Sequence, residues 1–237
     1  MSTTQKISGI VITFNEEKRI KACIESLKKV VDEVIVIDSF SSDNTKSICK
    51  DLNVTFIENE WMGFSKTKNF ANSKANYEYI LSLDADEVLS EELIQNIQKL
   101  KKTDLKPGKI YSFNRLNNYC GQWIKYAGWY PDKKVRLFEA KNTTWIGDVN
   151  EKLAFQNNVK TVHVSGDILH YSIENKDDHI ARIHKYNKLA NPYPNKLIAY
   201  LASASTFIKL YLIKCGFLEG KLGFQLCLIS AKAKIWR

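Results

Sequence analysis

Short β-branched runs alternate with stretches of helical spacing over the first 110 residues, and this alternation limits the chain to few architectures. Ile7–Thr13 (ISGIVIT) is the first apolar run. Ile20, Cys23, Ile24, Leu27 and Val30 or Val31 then recur at helical spacing. Val34–Ile37 (VIVI) reads as a second buried strand and ends at Asp38, followed by the turn SFSSDNT and a helix through Ile48 and Leu52. Val54–Ile57 reads as a third strand, Phe64 to Ala75 as a helix, and Tyr79–Leu83 as a fourth strand ending in Asp84-Ala85-Asp86-Glu87. Ser90 is placed to start the next helix, with Glu91 and Glu92 in the first turn where the helix dipole favours acids. Strand–helix alternation implies parallel strands with right-handed crossovers. The expected class is therefore α/β, with a mostly parallel sheet flanked by helices.

Acids at the carboxyl ends of such strands lie on the edge where open α/β sheets bind ligands. There is no GxGxxG after the first strand and no GxxxxGK[ST] in the chain, so a dinucleotide site and a P-loop lack support. What remains is carboxylate chemistry: Asp38 after the second strand, and Asp84 and Asp86 after the fourth. Two acids at i and i+2 after a buried strand can present oxygens to one hard cation shared with substrate phosphates. Equally, short acid pairs cap turns.

The charge is unevenly spread. The net charge is +9. Residues 1–178 hold 25 Lys+Arg and 25 Asp+Glu, whereas residues 179–237 hold ten Lys+Arg and a single acid, Glu219. This divides the chain into an α/β domain over 1–178 and a basic helical extension over 179–237. A basic segment suits an anionic partner, or simply a solvated helix face. Asp177-Asp178 are placed to cap a helix through Ile180, Ile183, His184 and Tyr186-Asn187, broken by Asn191-Pro192-Tyr193-Pro194. From Lys196, the residues Leu197, Tyr200, Leu201, Ala204, Ile208, Tyr211, Leu212 and Cys215 follow helical spacing. Lys209 and Lys214 interrupt that run, which makes it a poor transmembrane span and a good interfacial helix, or else a helix packed on the catalytic domain or on another subunit. The five cysteines include no CxxC pair, so neither a disulfide framework nor a zinc site is indicated. The N-terminal apolar run is short and β-branched for a signal peptide, and a reducing, cytoplasmic compartment is expected.

Several motifs in order carry a resemblance: Val11-Ile12-Thr13-Phe14-Asn15-Glu16-Glu17, Val36-Ile37-Asp38-Ser39-Phe40-Ser41-Ser42-Asp43-Asn44-Thr45 and Leu83-Asp84-Ala85-Asp86-Glu87. Further on stand Trp129-Tyr130-Pro131-Asp132, Val135-Arg136-Leu137-Phe138, Val149-Asn150-Glu151, Leu169-His170-Tyr171-Ser172 and Gly216-Phe217-Leu218-Glu219-Gly220. Together they resemble family 2 glycosyltransferases of the GT-A (Rossmann-like) fold, and among these the WaaE-like lipopolysaccharide core β-glucosyltransferases. The resemblance implies inverting transfer of a hexose, glucose in that branch, from a UDP-sugar to a lipid-linked saccharide. It also implies Mg²⁺ or Mn²⁺ as cofactor, and the basic charge with the apolar stripe after residue 178 would hold such an enzyme peripherally on the inner face of the cytoplasmic membrane.

Motif by motif, the resemblance assigns Thr13, Asn15 and Glu16 to the nucleoside pocket and Asp38 to the base. Asp84 belongs near the ribose and metal, and Asp86 is the principal carboxylate ligand. Lys68 and Asn69, in Gly63-Phe64-Ser65-Lys66-Thr67-Lys68-Asn69, are matched to polar positions that help hold the donor. His170 matches a late histidine that approaches metal or diphosphate, and Glu151 matches the base. The branch usually reads Val-His-Glu where this chain has Val149-Asn150-Glu151, so the neighbour of the base cannot titrate.

The chemistry implied needs a cation to stabilise the leaving diphosphate and a carboxylate to take the acceptor proton, the latter worth about 10²–10⁴ in rate. It also needs water excluded, for which Trp123–Tyr130 could serve as lid or acceptor wall, or else as core aromatics. Each site residue has a structural alternative. Asp38 could only form a turn, Glu151 could be a surface acid, and His170 could be a hydrogen-bonded core histidine. Arg136 could pair with an acid or face a phosphate. A sugar nucleotidyltransferase is the nearest other enzyme, but Phe14-Asn15-Glu16-Glu17-Lys18-Arg19 follows the first strand without the glycines of its phosphate loop. A basic nucleic-acid module fits poorly, because residues 1–178 are neutral with acids at the strand ends. No nucleic-acid partner is therefore expected.

Overall fold

A computed structural model describes residues 4–103, 105–141, 143–147, 151–156, 158–187 and 191–236. Along the chain run β1 (Ile7–Thr13), α1 (Ile20–Lys28), β2 (Glu33–Asp38), α2 (Thr45–Asp51), β3 (Thr55–Glu58), α3 (Phe64–Asn72), β4 (Tyr79–Asp84), β5 (Glu87–Leu89) and α4 (Glu91–Thr103). Then come β6 (Lys109–Tyr119), β7 (Gln122–Ile124), β8 (Asp132–Glu139), β9 (Thr143–Ile146), β10 (Lys152–Phe155) and β11 (Lys160–Ile173). The chain closes with α5 (Lys176–Asn187), α6 (Lys196–Ile208), a π-helical turn Lys209–Ile213, a 3₁₀ turn Gly216–Glu219 and α7 (Gly220–Ile235).

The chain forms two compact units. One comprises residues 1–114 and 133–169, the other residues 115–132 and 170–237. This differs from a boundary at residue 178 drawn from charge. The basic tail shares a core with the 115–132 excursion, because Tyr119, Ile124 and Ala127 pack with Ile173, Leu226 and Cys227.

In the first unit the main sheet runs β3-β2-β1-β4-β8-β6-β11-β5. β1 pairs in parallel with both β2 and β4, and β2 with β3. β8 then pairs antiparallel with β4. Buried strands need apolar residues on both faces, and these strands alternate with period two. Val11, Val34, Val36, Leu81 and Leu83 face a core containing Ile20, Cys23, Ile24 and Leu27 of α1 and Leu93 and Ile97 of α4. Ile10, Ile12, Ile35, Ile37 and Ile80 face the opposite core, with Ala71 of α3 and Trp145 of β9. β9 and β10 form a separate antiparallel pair. The helix start at Ser90 is as expected: its hydroxyl accepts from Leu93 N at 3.3 Å.

In the second unit β7 folds back on β6. The expected cap of α5 moves by two residues. Asn175 Oδ1 accepts from Asp178 N at 3.0 Å, so Asp177 and Asp178 occupy the first turn instead. An exposed amide can cap, while the two acids gain from the helix dipole. α6 and the following π turn are together 18 residues, long and apolar enough by length and composition to cross a membrane. The interruption at Lys209 therefore does not shorten the run as its charge suggested. The five cysteines are free thiols, with Cys23, Cys49 and Cys227 buried as small hydrophobes.

Candidate active site

The carboxyl ends of β1, β2 and β4 are adjacent in the sheet, and the residues after them converge there. Thr13 and Asp38 are register partners at the ends of β1 and β2. Asp38 is fully buried, and its Oδ2 accepts from Ser41 N at 2.8 Å while Oδ1 accepts from the Ser41 hydroxyl. Asn15, at φ 54°, bridges the same loop: its N–H donates to Ser41 Oγ and its Oδ1 accepts from Ser42 N, both at 2.8 Å. Glu16 N donates to Thr45 Oγ1 at 2.9 Å. These four residues therefore lie together, and Asp38 and Asn15 order the loop through their side chains. Thr13 Oγ1 and Ser39 Oγ are buried without a hydrogen-bond partner at this edge. Such orphaned hydroxyls are rare without a ligand or water to meet them.

The second group is a chain of alternating charges. Lys68, on α3, is fully buried. Its Nζ donates to Glu151 Oε1 at 2.7 Å and lies 2.9 Å from Asp84 Oδ1. Lys68 thus forms ion pairs with both carboxylates. The Trp145 ring stands 4.9 Å from the same ammonium. Arg136 Nη2 donates to Asp84 Oδ2 and to Glu87 Oε1, both at 2.6 Å, and Glu87 Oε2 accepts from Asp84 N at 3.1 Å. Burial would raise the Asp84 carboxyl, but Arg136 first and Lys68 second outweigh it and hold the group well below the usual carboxylate range. Burial would also lower Arg136, and Asp84 with Glu87 more than offsets that. Asp84, Glu87 and Glu151 thus share Lys68 and Arg136 in one linked set of ion pairs.

Of the two readings of Arg136, the structure selects pairing with acids. Glu87 is the group that sequence reasoning passed over. It is completely buried, and its signal was its place three residues after Asp84 in the same turn. Asn69 turns toward the protein: its amide donates to Trp145 O at 2.9 Å and accepts from Trp145 N at 2.8 Å, tying α3 to β9. Ser65 of α3 also donates to the Gly147 carbonyl. Val149 and Asn150 lie outside the described residues.

Asp86 sits partly exposed in the β4–β5 turn. His170 belongs to the other unit, where its Nδ1 is 2.6 Å from Asn117 Oδ1. Among the described residues, no three His, Cys, Asp or Glu side chains are grouped to hold a metal by themselves. Asp84 is already committed to Lys68 and Arg136. This donor set fits a cation that arrives with a diphosphate and needs one or two protein ligands; it does not fit a resident ion in an all-protein cage. In the second unit Trp129 packs edge-on against Tyr119 and His179, and Trp123 against Tyr171.

Comparison with known proteins adds the lineage. Residues 8–147 match the family model described as glycosyl transferase family 2. An uncharacterized glycosyltransferase of Rickettsia typhi is 35% identical over 207 residues, covering 86% of this chain and 65% of that protein. The chain thus spans about two-thirds of that relative's length. The lipopolysaccharide core biosynthesis glycosyltransferase LpsC of Rhizobium meliloti is 24% identical, covering 98% of this chain and 92% of LpsC. The crystal structure of S. aureus TarS matches with a TM-score of 0.50 at 17% identity, over 96% of this chain and 48% of TarS. The likeness to TarS is one of fold, and the GT-A α/β fold expected from the motifs is the fold found.

Proposed function

This chain belongs to glycosyl transferase family 2, and we propose that it moves a hexose, glucose by the resemblance of its motifs, from a UDP-sugar to a lipid-linked saccharide with inversion. The proposed acceptor is a saccharide such as the lipopolysaccharide inner core, a reading supported by the similarity to LpsC, named for lipopolysaccharide core biosynthesis. The reaction would run at the inner face of the cytoplasmic membrane.

The observation that carries this reading is the Glu151–Lys68–Asp84 chain, which joins a candidate base to the donor end of the sheet. Glu151 is partly exposed, so one carboxylate can meet an acceptor hydroxyl while Lys68 holds it in place. It would take the hydroxyl proton as that oxygen attacks the anomeric carbon from the face opposite the leaving diphosphate. Thr13 and Ser39 offer unpartnered hydroxyls to the nucleoside, alongside Asn15, Glu16 and the buried Asp38. Lys68 and Asn69 would act on the donor through the frame they build. Asp84 would face the ribose side of the donor, held rigid by Arg136.

Asp86 would hold Mg²⁺ or Mn²⁺. The cation supplies Lewis-acid stabilisation of the charge that develops on the diphosphate. Family membership favours glycosyl transfer over nucleotidyl transfer or a nucleic-acid module.

The test is Glu151→Gln, assayed with UDP-glucose and a lipooligosaccharide acceptor. Transfer should fall by about 10²-fold or more with UDP affinity little changed. Collapse of UDP affinity, with transfer per bound donor retained, would make Glu151 a binding residue and remove the base assignment.

A further inference from the structure

α6 and the turns after it expose a continuous apolar surface. Leu197, Ile198, Tyr200, Leu201, Ile208, Leu212, Ile213, Phe217 and Leu218 are each between 40% and 71% exposed. At about 1.5 Å rise per residue, the stretch from Lys196 to Ile213 is roughly 27 Å long. Apolar patches of this extent on a soluble surface mark an interaction site.

The opposite side of the same helix is occupied. Phe207, Leu210 and Tyr211 pack into the core of the second unit with Leu222, Leu226 and Cys227. Phe207 stacks on Tyr211 at 5.2 Å, and both meet Phe224 edge-on. Gly216 and Gly223 allow the chain to close against itself there: a Cβ on Gly223 would stand 2.0 Å from the Gly216 carbonyl oxygen. A helix fastened along one side cannot be surrounded by lipid without losing that core. It can lie in the plane of an interface with its free side down.

The charges name the partner. Lys196, Lys209, Lys214 and Lys221 are exposed along or beside the apolar surface. From 179 to 218 the sequence has no acid. The next acid, Glu219, is turned inward: Oε1 accepts from Lys125 N at 2.7 Å and Tyr126 N at 3.0 Å, and Oε2 accepts from Gln122 Nε2 at 2.9 Å. Apolar side chains rimmed by lysines, with the neighbouring carboxylate withdrawn, complement an anionic lipid headgroup layer above acyl chains. A protein partner of this area would call for mixed polar groups at the rim.

We propose that the face from Leu197 to Leu218 docks in the plane of an anionic bilayer, Leu201 and Ile208 entering the acyl boundary while Lys209 and Lys214 meet the headgroups. This deepens the reading of a lipid-linked acceptor and rests on it for its purpose, but its test needs neither donor nor acceptor.

The test is co-sedimentation of the full chain with vesicles of phosphatidylglycerol and phosphatidylcholine, and with phosphatidylcholine alone. Binding should be at least tenfold tighter to the anionic vesicles. It should weaken with salt and keep a salt-resistant remainder. Leu201→Asp with Ile208→Asp should remove that remainder, and Lys209→Glu with Lys214→Glu the salt-sensitive part, with UDP affinity unchanged in both. Alkaline carbonate should release the bound protein. No binding to anionic vesicles at low salt overturns the proposal, as does a Leu201/Ile208 variant that binds like the parent. Retention through the carbonate wash overturns in-plane docking in favour of a span. A concentration-dependent dimer abolished by the apolar substitutions, without vesicle binding, makes the face a contact between copies. Loss of transfer with vesicle binding intact would count against the proposed reaction alone.

Discussion

Lys68 Nζ stands 2.7 Å from Glu151 Oε1, although the two residues are 83 positions apart in sequence. The lysine is fully buried and is shared with Asp84. A buried ammonium is tolerable only because two carboxylates offset its desolvation. The same contact orients the candidate base. A residue first read as donor-binding is thus the joint between the end of β4 and the candidate base Glu151.

Lys68→Met should therefore destabilise the protein by about 3–5 kcal/mol, because it leaves Glu151 without its cation and Asp84 with Arg136 alone. Urea unfolding measures this. Adding Glu151→Gln should recover part of the loss, since the stranded charge is then gone. A double variant no more stable than Lys68→Met would show that the pair is not coupled.

Asn69→Ala should cost about 1–3 kcal/mol, because Trp145 N–H and C=O lose their partners together. Asn69→Asp keeps the acceptor and loses the donor, so it should fall between the parent and the alanine variant. Thermal unfolding of the three proteins orders them.

Asp86→Asn should leave folding stability within about 0.5 kcal/mol, as expected for a partly exposed turn residue. Mn²⁺ affinity in the presence of UDP, read by calorimetry, should fall tenfold or more. Unchanged Mn²⁺ affinity would remove Asp86 as the principal ligand.

His179 predicts a pH dependence of stability. Its Nδ1 lies 3.1 Å from the Tyr119 hydroxyl, Trp129 covers it edge-on, and burial and then Arg182 lower its pKa. The unfolded chain takes up a proton near the ordinary value of about 6.5, while the folded chain does so at lower pH. Between those two values the unfolded state binds more protons, so stability should be full above about pH 6.5 and fall as pH drops below it. His179→Gln should flatten that fall, as followed by urea midpoints from pH 7 to pH 5.

The strands of the first unit were legible because buried parallel strands must be apolar on both faces, and that requirement is local. Ile7–Thr13 is the same segment in sequence pattern and in structure. The acids at strand ends were legible too, as polar residues that close each apolar run, though Asp38 and Asp84 meet protein partners there. The C-terminal stripe could be read as a period, but whether it faced a core or solvent could not. Periodicity tells which residues share a face; what covers that face depends on segments far away. α7 and the 115–132 excursion take the Phe207–Tyr211 side and leave Leu197, Leu201 and Ile208 uncovered.

The sequence by itself determined the α/β class, the motif order of the family and the concentration of positive charge after residue 178. These are properties of residue type and spacing, which chain neighbours set. Only the tertiary structure decided the partners of the charged groups. Arg136 could have met a phosphate until β8 was laid against β4, where its guanidinium reaches Asp84 and Glu87. Lys68 could have met the donor until Glu151 was brought beside α3. An ion pair is chosen by distance in space, and no local pattern in the chain encodes a separation of 52 or 83 residues.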